Sequence, residues 1–157
     1  MHRTLNDLPK ATRVKMIELL NARLADGIDM YNQTKQAHWT VKGSDFYQLH
    51  ELFDKVAEAI EEGVDEIAER AVELGGVVDG TVQGVAGRTT LKPYPVDTKT
   101  GKDHLTRLSK ALAAYGKNLR AAIQTAADAG DADTSDLFTQ LSRAADKQLW
   151  FIEAHLQ

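Results

Sequence analysis

From Ala11 onward, apolar side chains return at intervals of three and four: Ile17, Leu20, Leu24, Ile28 and Tyr31, with the same phase reaching His38. Residues so spaced share a face at about 100° per residue, which predicts one long amphipathic helix from Ala11 to near Val41. Lys42 and Gly43 turn the chain. A second stripe starts near Ser44 and runs through Phe46, Leu49, Phe53, Val56, Ile60, Val64, Ile67, Ala71 and Leu74, with Gly75-Gly76 as its stop. So short a connection folds the two helices into an antiparallel pair. Residues 77–101 differ in kind: six of the eleven glycines lie between Gly75 and Gly101, two prolines frame Tyr94, and no long stripe survives. This is a crossover with room for one short helix. A third helix carries Leu105, Leu108, Leu112, Tyr115, Leu119 and Ile123 and ends near Ala129-Gly130. A fourth starts after Asp133-Thr134, a good N-cap sequence, and continues through Leu137, Leu141, Ala145 and Ile152. Two short connections and one long one between helices two and three describe an all-α four-helix bundle.

Composition narrows the class. With 157 residues and 43% hydrophobic side chains, residues 1–157 form a single domain with enough core to fold unaided. The absence of cysteine removes thiolate metal sites, thiol catalysis and disulfides. No window approaches the ~18 apolar residues of a membrane span, and the amino end has no apolar signal region, so a cytoplasmic protein without membrane attachment is expected. The net charge of −4 favours cations over nucleic acid as partners.

On the second helix His50, Asp54, Glu58, Glu61, Asp65 and Glu69 fall on a face roughly 130° from the apolar stripe, pointing away from the chain's own core. Such a face is often simply solvated. Histidines beside carboxylates also make a transition-metal donor set. The paired Glu-x-x-His motif of di-iron bundles is absent. His50 and Asp54 are one turn apart, and His38 lies at a similar height across the hairpin. Asp65 and Glu69 form a second pair whose midpoint is roughly 22 Å further along the axis, too far to share one ion. A second copy would close the gap. A two-fold axis near Ala59 and Ile60 would lay two such helices antiparallel and set each histidine end against the partner's carboxylate end, with Ala57 and Ala68 allowing close approach.

The run His38-Trp39-Thr40-Val41-Lys42-Gly43, followed by Phe46, Leu49-His50, Phe53-Asp54 and Asp65-x-x-x-Glu69-Arg70, resembles the signature of the Dps family of mini-ferritins, as do ELGG at 73–76 and GDADTSDLFTQLSRAADKQLWFIEAHL at 130–156. The resemblance covers nearly the whole chain. It implies a ferritin-like bundle assembled as a hollow homo-dodecamer that oxidises Fe(II), preferably with hydrogen peroxide, and stores the ferric mineral. It also implies an intersubunit centre of His38, His50 and Asp54 from one chain and Asp65 and Glu69 from another, the same five residues the spacing groups. Zinc can substitute for iron at such a donor set.

Trp39 and Trp150 match family tryptophans near the centre, as interceptors of stray oxidising equivalents or as core aromatics. Asp131, Asp133 and Asp136 resemble the acidic residues of the family's three-fold iron pores; Asp133 also suits a helix cap. His2, His104 and His155 lie outside the motif and read as surface or capping residues. Thr40 stands where asparagine is common in the family. The alternative function is a structural nucleoid protein that compacts DNA. The amino end offers only Arg3, Lys10, Arg13 and Lys15, and the carboxyl end has no basic tail, so weak or absent DNA binding is expected.

Overall fold

A computed structural model describes residues 1–157 as five helices: α1 (Lys10–Thr40), α2 (Phe46–Glu73), α3 (Val82–Arg88), α4 (Gly101–Asp128) and α5 (Ala132–Glu153). There are no strands. The hairpin α1/α2 and the hairpin α4/α5 pack side by side, with the crossover and its short helix α3 laid along α1. The apolar stripes converge on a core that includes Met16, Leu20, Met30, Phe53, Ile67, Leu108, Leu112, Leu119, Phe138 and Ile152. No helix is long and apolar enough to cross a membrane.

Local chemistry sets the ends of these elements. Gly43, at φ +117°, takes a backbone conformation that a side chain disfavours, and it reverses the chain within a few residues of His38. The Leu141 side chain of α5 packs directly onto Gly63 of α2, where an added Cβ would lie 2.8 Å from Leu141 Cδ2. α5 begins earlier than the sequence suggests. Its cap is Asp131, whose side chain accepts from the Thr134 backbone N–H at 3.0 Å, and Asp133 falls inside the first turn.

α1 is not the simple amphipathic helix its apolar stripe predicts. Packed against α2, α4 and the crossover, it also buries Asp26, Gln33 and Thr34. The Asp26 carboxylate accepts hydrogen bonds from the Thr90 N–H (2.8 Å) and hydroxyl (3.0 Å) and from Asn118 Nδ2 (3.0 Å), and it pairs with Arg23 at 3.0 Å. Thr89 donates to the neighbouring Asp29 at 2.6 Å. These two carboxylates fasten the crossover to α1 and α4.

His104 is likewise a correction: it is fully buried rather than a surface residue. Its Nδ1 lies 2.5 Å from the Tyr94 hydroxyl, and its Nε2 has no partner. Burial holds this imidazole below its ordinary value of 6.5, and Arg107 acts in the same direction.

Two outcomes follow. Asp26→Ala strands Arg23 and the polar groups of Thr90 and Asn118, so denaturant unfolding should show a loss of about 3–5 kcal/mol. For His104, the unfolded chain binds a proton more readily than the folded one. Its contribution to stability is therefore complete above about pH 6.5 and is lost as pH falls toward the depressed folded value. Between pH 7.5 and 5, the wild-type unfolding midpoint should fall more steeply than that of His104→Gln.

Candidate metal centre

The hairpin brings His38 near the end of α1 against His50 in the first turns of α2, and their rings stack with centroids 3.7 Å apart. Each ring binds the other residue's backbone: His38 Nδ1 lies 2.8 Å from the His50 carbonyl oxygen, and His50 Nδ1 lies 2.9 Å from that of His38. A carbonyl only accepts, so both Nδ1 atoms carry the proton and each neutral ring keeps its lone pair on Nε2. The polypeptide thus orients two imidazoles as metal donors without any third side chain.

Asp54, one turn beyond His50, lies at the same end of the hairpin, 3.9 Å from His38 Nδ1. Its carboxylate is half-exposed and carries a partner that the ligand pattern missed: Lys35 Nζ donates to Asp54 Oδ1 at 2.5 Å. That hydrogen bond holds the Asp54 carboxyl below the usual carboxylate range and the Lys35 ammonium above its own. The signal was present in the sequence, since Lys35 lies three residues before His38 and therefore on the same face of α1.

Asp65 and Glu69 lie on the outer face of α2, exposed, and do not join the histidine pair. No three acidic or histidine side chains of one chain are gathered so as to hold a metal ion. Arg70, beside Glu69, is held by Asp131 (3.0 Å), Thr134 (3.0 Å) and Glu73 (3.1 Å), which pins this end of α2 to the start of α5. Asp131, at 1% exposure, is spent on this pairing and on its cap, and it is not a free pore carboxylate. Asp133 and Asp136 are exposed.

The aromatic expectation also changes. Trp39 is 66% and Trp150 61% exposed, so neither belongs to the chain's own core. Trp39 continues into Phe46 and Tyr47, also exposed, at the histidine end of the hairpin. Near the Asp65/Glu69 end, Val72, Val77 and Val82 are exposed. Ala57, expected to ease the approach of a second helix, is buried within its own bundle, and so is Ile60.

Residues 17–157 match the ferritin-like domain. The chain is 44% identical over 156 residues to a DNA protection during starvation protein of Agrobacterium fabrum, covering 99% of this chain and 96% of that one. It is 30% identical over 140 residues to the protein of the same name from Mycolicibacterium smegmatis, covering 89% and 76%. Among solved structures, DpsC from Streptomyces coelicolor superposes with a TM-score of 0.94 at 33% identity, covering 99% of this chain and 91% of that one. A Vibrio cholerae Dps protein, described as one of a broad superfamily of ferritin-like diiron-carboxylate proteins, superposes with a TM-score of 0.92 at 25% identity, covering 100% and 98%.

Because the Lys35 ammonium sits on one oxygen of Asp54, its charge opposes a divalent cation at that carboxylate. Lys35→Met should therefore bind Co(II) several-fold more tightly than wild type, read from the visible absorbance of the bound ion. Weaker binding would mean that the lysine assists the site instead of competing for it.

Proposed function

Since the chain belongs to the Dps family of ferritin-like proteins, we propose that it is a ferroxidase and iron store, oxidising Fe(II) at centres shared between subunits and holding the ferric product inside a homo-dodecamer. Its role on this reading is protection against oxidative damage. The observation that carries the proposal is the orientation of His38 and His50, whose Nδ1 atoms are both taken by backbone carbonyls so that Nε2 is the nitrogen left to donate to a metal.

The remaining ligands come from a second chain. Asp65 and Glu69 lie too far along α2 to reach their own histidines but are open to a partner's. An antiparallel two-fold pairing of α2 sets His38, His50 and Asp54 of one subunit against Asp65 and Glu69 of the other, twice per dimer. It also covers Trp39, Phe46 and Tyr47 with the region of Val72, Val77 and Val82, apolar surface that a lone chain leaves wet. With Ile60 turned inward, the axis runs past the side of Ala59 away from the core.

Imidazole and carboxylate donors bind Fe(II), and the carboxylates hold it more strongly as it becomes Fe(III), because the added positive charge on the iron attracts anionic ligands. Hydrogen peroxide is the preferred oxidant. Two Fe(II) ions supply one electron each, one peroxide accepts both, and its O–O bond breaks to two hydroxides, so no hydroxyl radical is released. Trp39 and Trp150 stand beside the assembled centre to intercept any one-electron oxidation. Asp133 and Asp136, exposed at the α4/α5 junction, attract Fe(II) at a three-fold pore.

The decisive test uses two lesions. His50→Ala and Asp65→Ala homo-oligomers should each assemble and each lose rapid Fe(II) oxidation, followed by ferric absorbance. When the two are dissociated and reassembled together, every mixed dimer contains one site with both lesions and one intact site. Random pairing makes about half the dimers mixed, so roughly a quarter of wild-type centres should return. No recovery from a demonstrably mixed assembly would overturn the shared centre.

A further inference from the structure

The whole-chain charge conceals a strong segregation. α2 carries nine Asp or Glu against two Lys or Arg, whereas residues 88–120, the end of the crossover and most of α4, carry eight Lys or Arg against two acids. Within that basic segment lies a crevice of about 520 Å³, walled by α1, the crossover and α4. Its lining includes Gln33, Lys92, Tyr94, Arg107 and Lys110 and no carboxylate. Lys92, Arg107 and Lys110 form no ion pair, and Arg107 Nε is buried without a hydrogen-bond partner. The nearest acid in sequence to Arg107, Asp103, is engaged at the start of α4: its carboxylate accepts from the Thr100 hydroxyl at 2.7 Å, and its backbone N–H donates back to that hydroxyl at 3.1 Å.

The walls are held in place. Gln33, almost fully buried, donates to the Lys92 carbonyl at 3.0 Å and to Asp29 at 3.1 Å. Tyr94 is tethered through its hydroxyl to His104, and prolines flank it on both sides. Arg107 Nε shares its lack of an acceptor with Arg23 and Arg88, but of the three only Arg107 lines the crevice, where a ligand oxygen would supply one. The crevice is also larger than a bare phosphate needs, and its size falls within the range of small-molecule sites.

We propose that this crevice binds a small phosphate monoester, with Lys92, Arg107 and Lys110 taking the phosphate and the Tyr94 and proline wall taking the organic body. Guanidinium and ammonium donors match phosphate oxygens in charge and geometry. The tyrosine ring and prolines offer an apolar surface to a flat or hydrophobic group. This site is separate from the iron centre and does not depend on it.

The test is calorimetric titration of the intact assembly with adenosine monophosphate, inorganic phosphate and adenosine, at low and at about 0.15 M salt. Adenosine monophosphate should bind once per chain, inorganic phosphate more weakly, and adenosine not detectably. Arg107→Gln and, independently, the more exposed Lys110→Gln should each weaken the monophosphate about tenfold, with Fe(II) oxidation unchanged. Arg143→Gln, on α5, should leave binding as it is. Failure of the monophosphate to bind, equal affinity for inorganic phosphate, or indifference to both crevice variants would overturn the proposal. Retention of duplex DNA without any adenosine monophosphate binding would overturn it too, and would assign the basic segment to a polyanion surface.

Discussion

The constraint on which the molecule's chemistry depends is the stiffness of α2. A helix rises about 1.5 Å per residue and cannot fold back on itself, so donors fifteen residues apart cannot meet on one ion. On the proposed reading the chain supplies both halves of a metal centre and is prevented by its own geometry from joining them. The histidine half is prepared within the subunit, because exchanging Nδ1–H donors with the two backbone carbonyls fixes both rings before any metal arrives. The carboxylate half needs less preparation, being carried on a rigid helix whose end is pinned through Arg70 to Asp131.

Much of this was legible in the sequence, for definite physical reasons. The helices announced themselves because their apolar residues recur at helical spacing, and the hairpin because Lys42-Gly43 leaves no room for any other connection. His38, His50 and Asp54 could be placed at one level by counting residues from that turn. What could not be read were the polar residues buried on the second face of α1, since periodicity reports apolar positions and Asp26 looks like any solvated acid until Thr90 and Asn118 close over it. His104 was misplaced for the same reason: its burial depends on Tyr94, ten residues away in an irregular segment. Asp131 and Asp133 exchanged roles because either suits a helix cap by residue type, and Arg70, 61 residues earlier, decides between them.

Net charge misled in a different way. A total of −4 describes neither side of a molecule on which α2 is strongly acidic and α4 with the adjoining crossover strongly basic. The acidic residues crowd the helix that carries the proposed metal ligands, and the basic ones surround a crevice without a carboxylate. Summing the two populations erases the feature that distinguishes them.

The buried Asp26 carboxylate ties together three parts of the chain that are distant in sequence: its own helix, Thr90 64 residues later and Asn118 92 residues later. Until α4 has docked, that charge has lost water without gaining its full set of partners, and the crossover has no fixed seat. Val77 and Val82 lie on that same crossover. The surface through which two subunits would recognise each other therefore depends on the same contacts that hold the crossover. One buried carboxylate thus couples the docking of α4 to the seating of the crossover, and through it to the face proposed for subunit pairing.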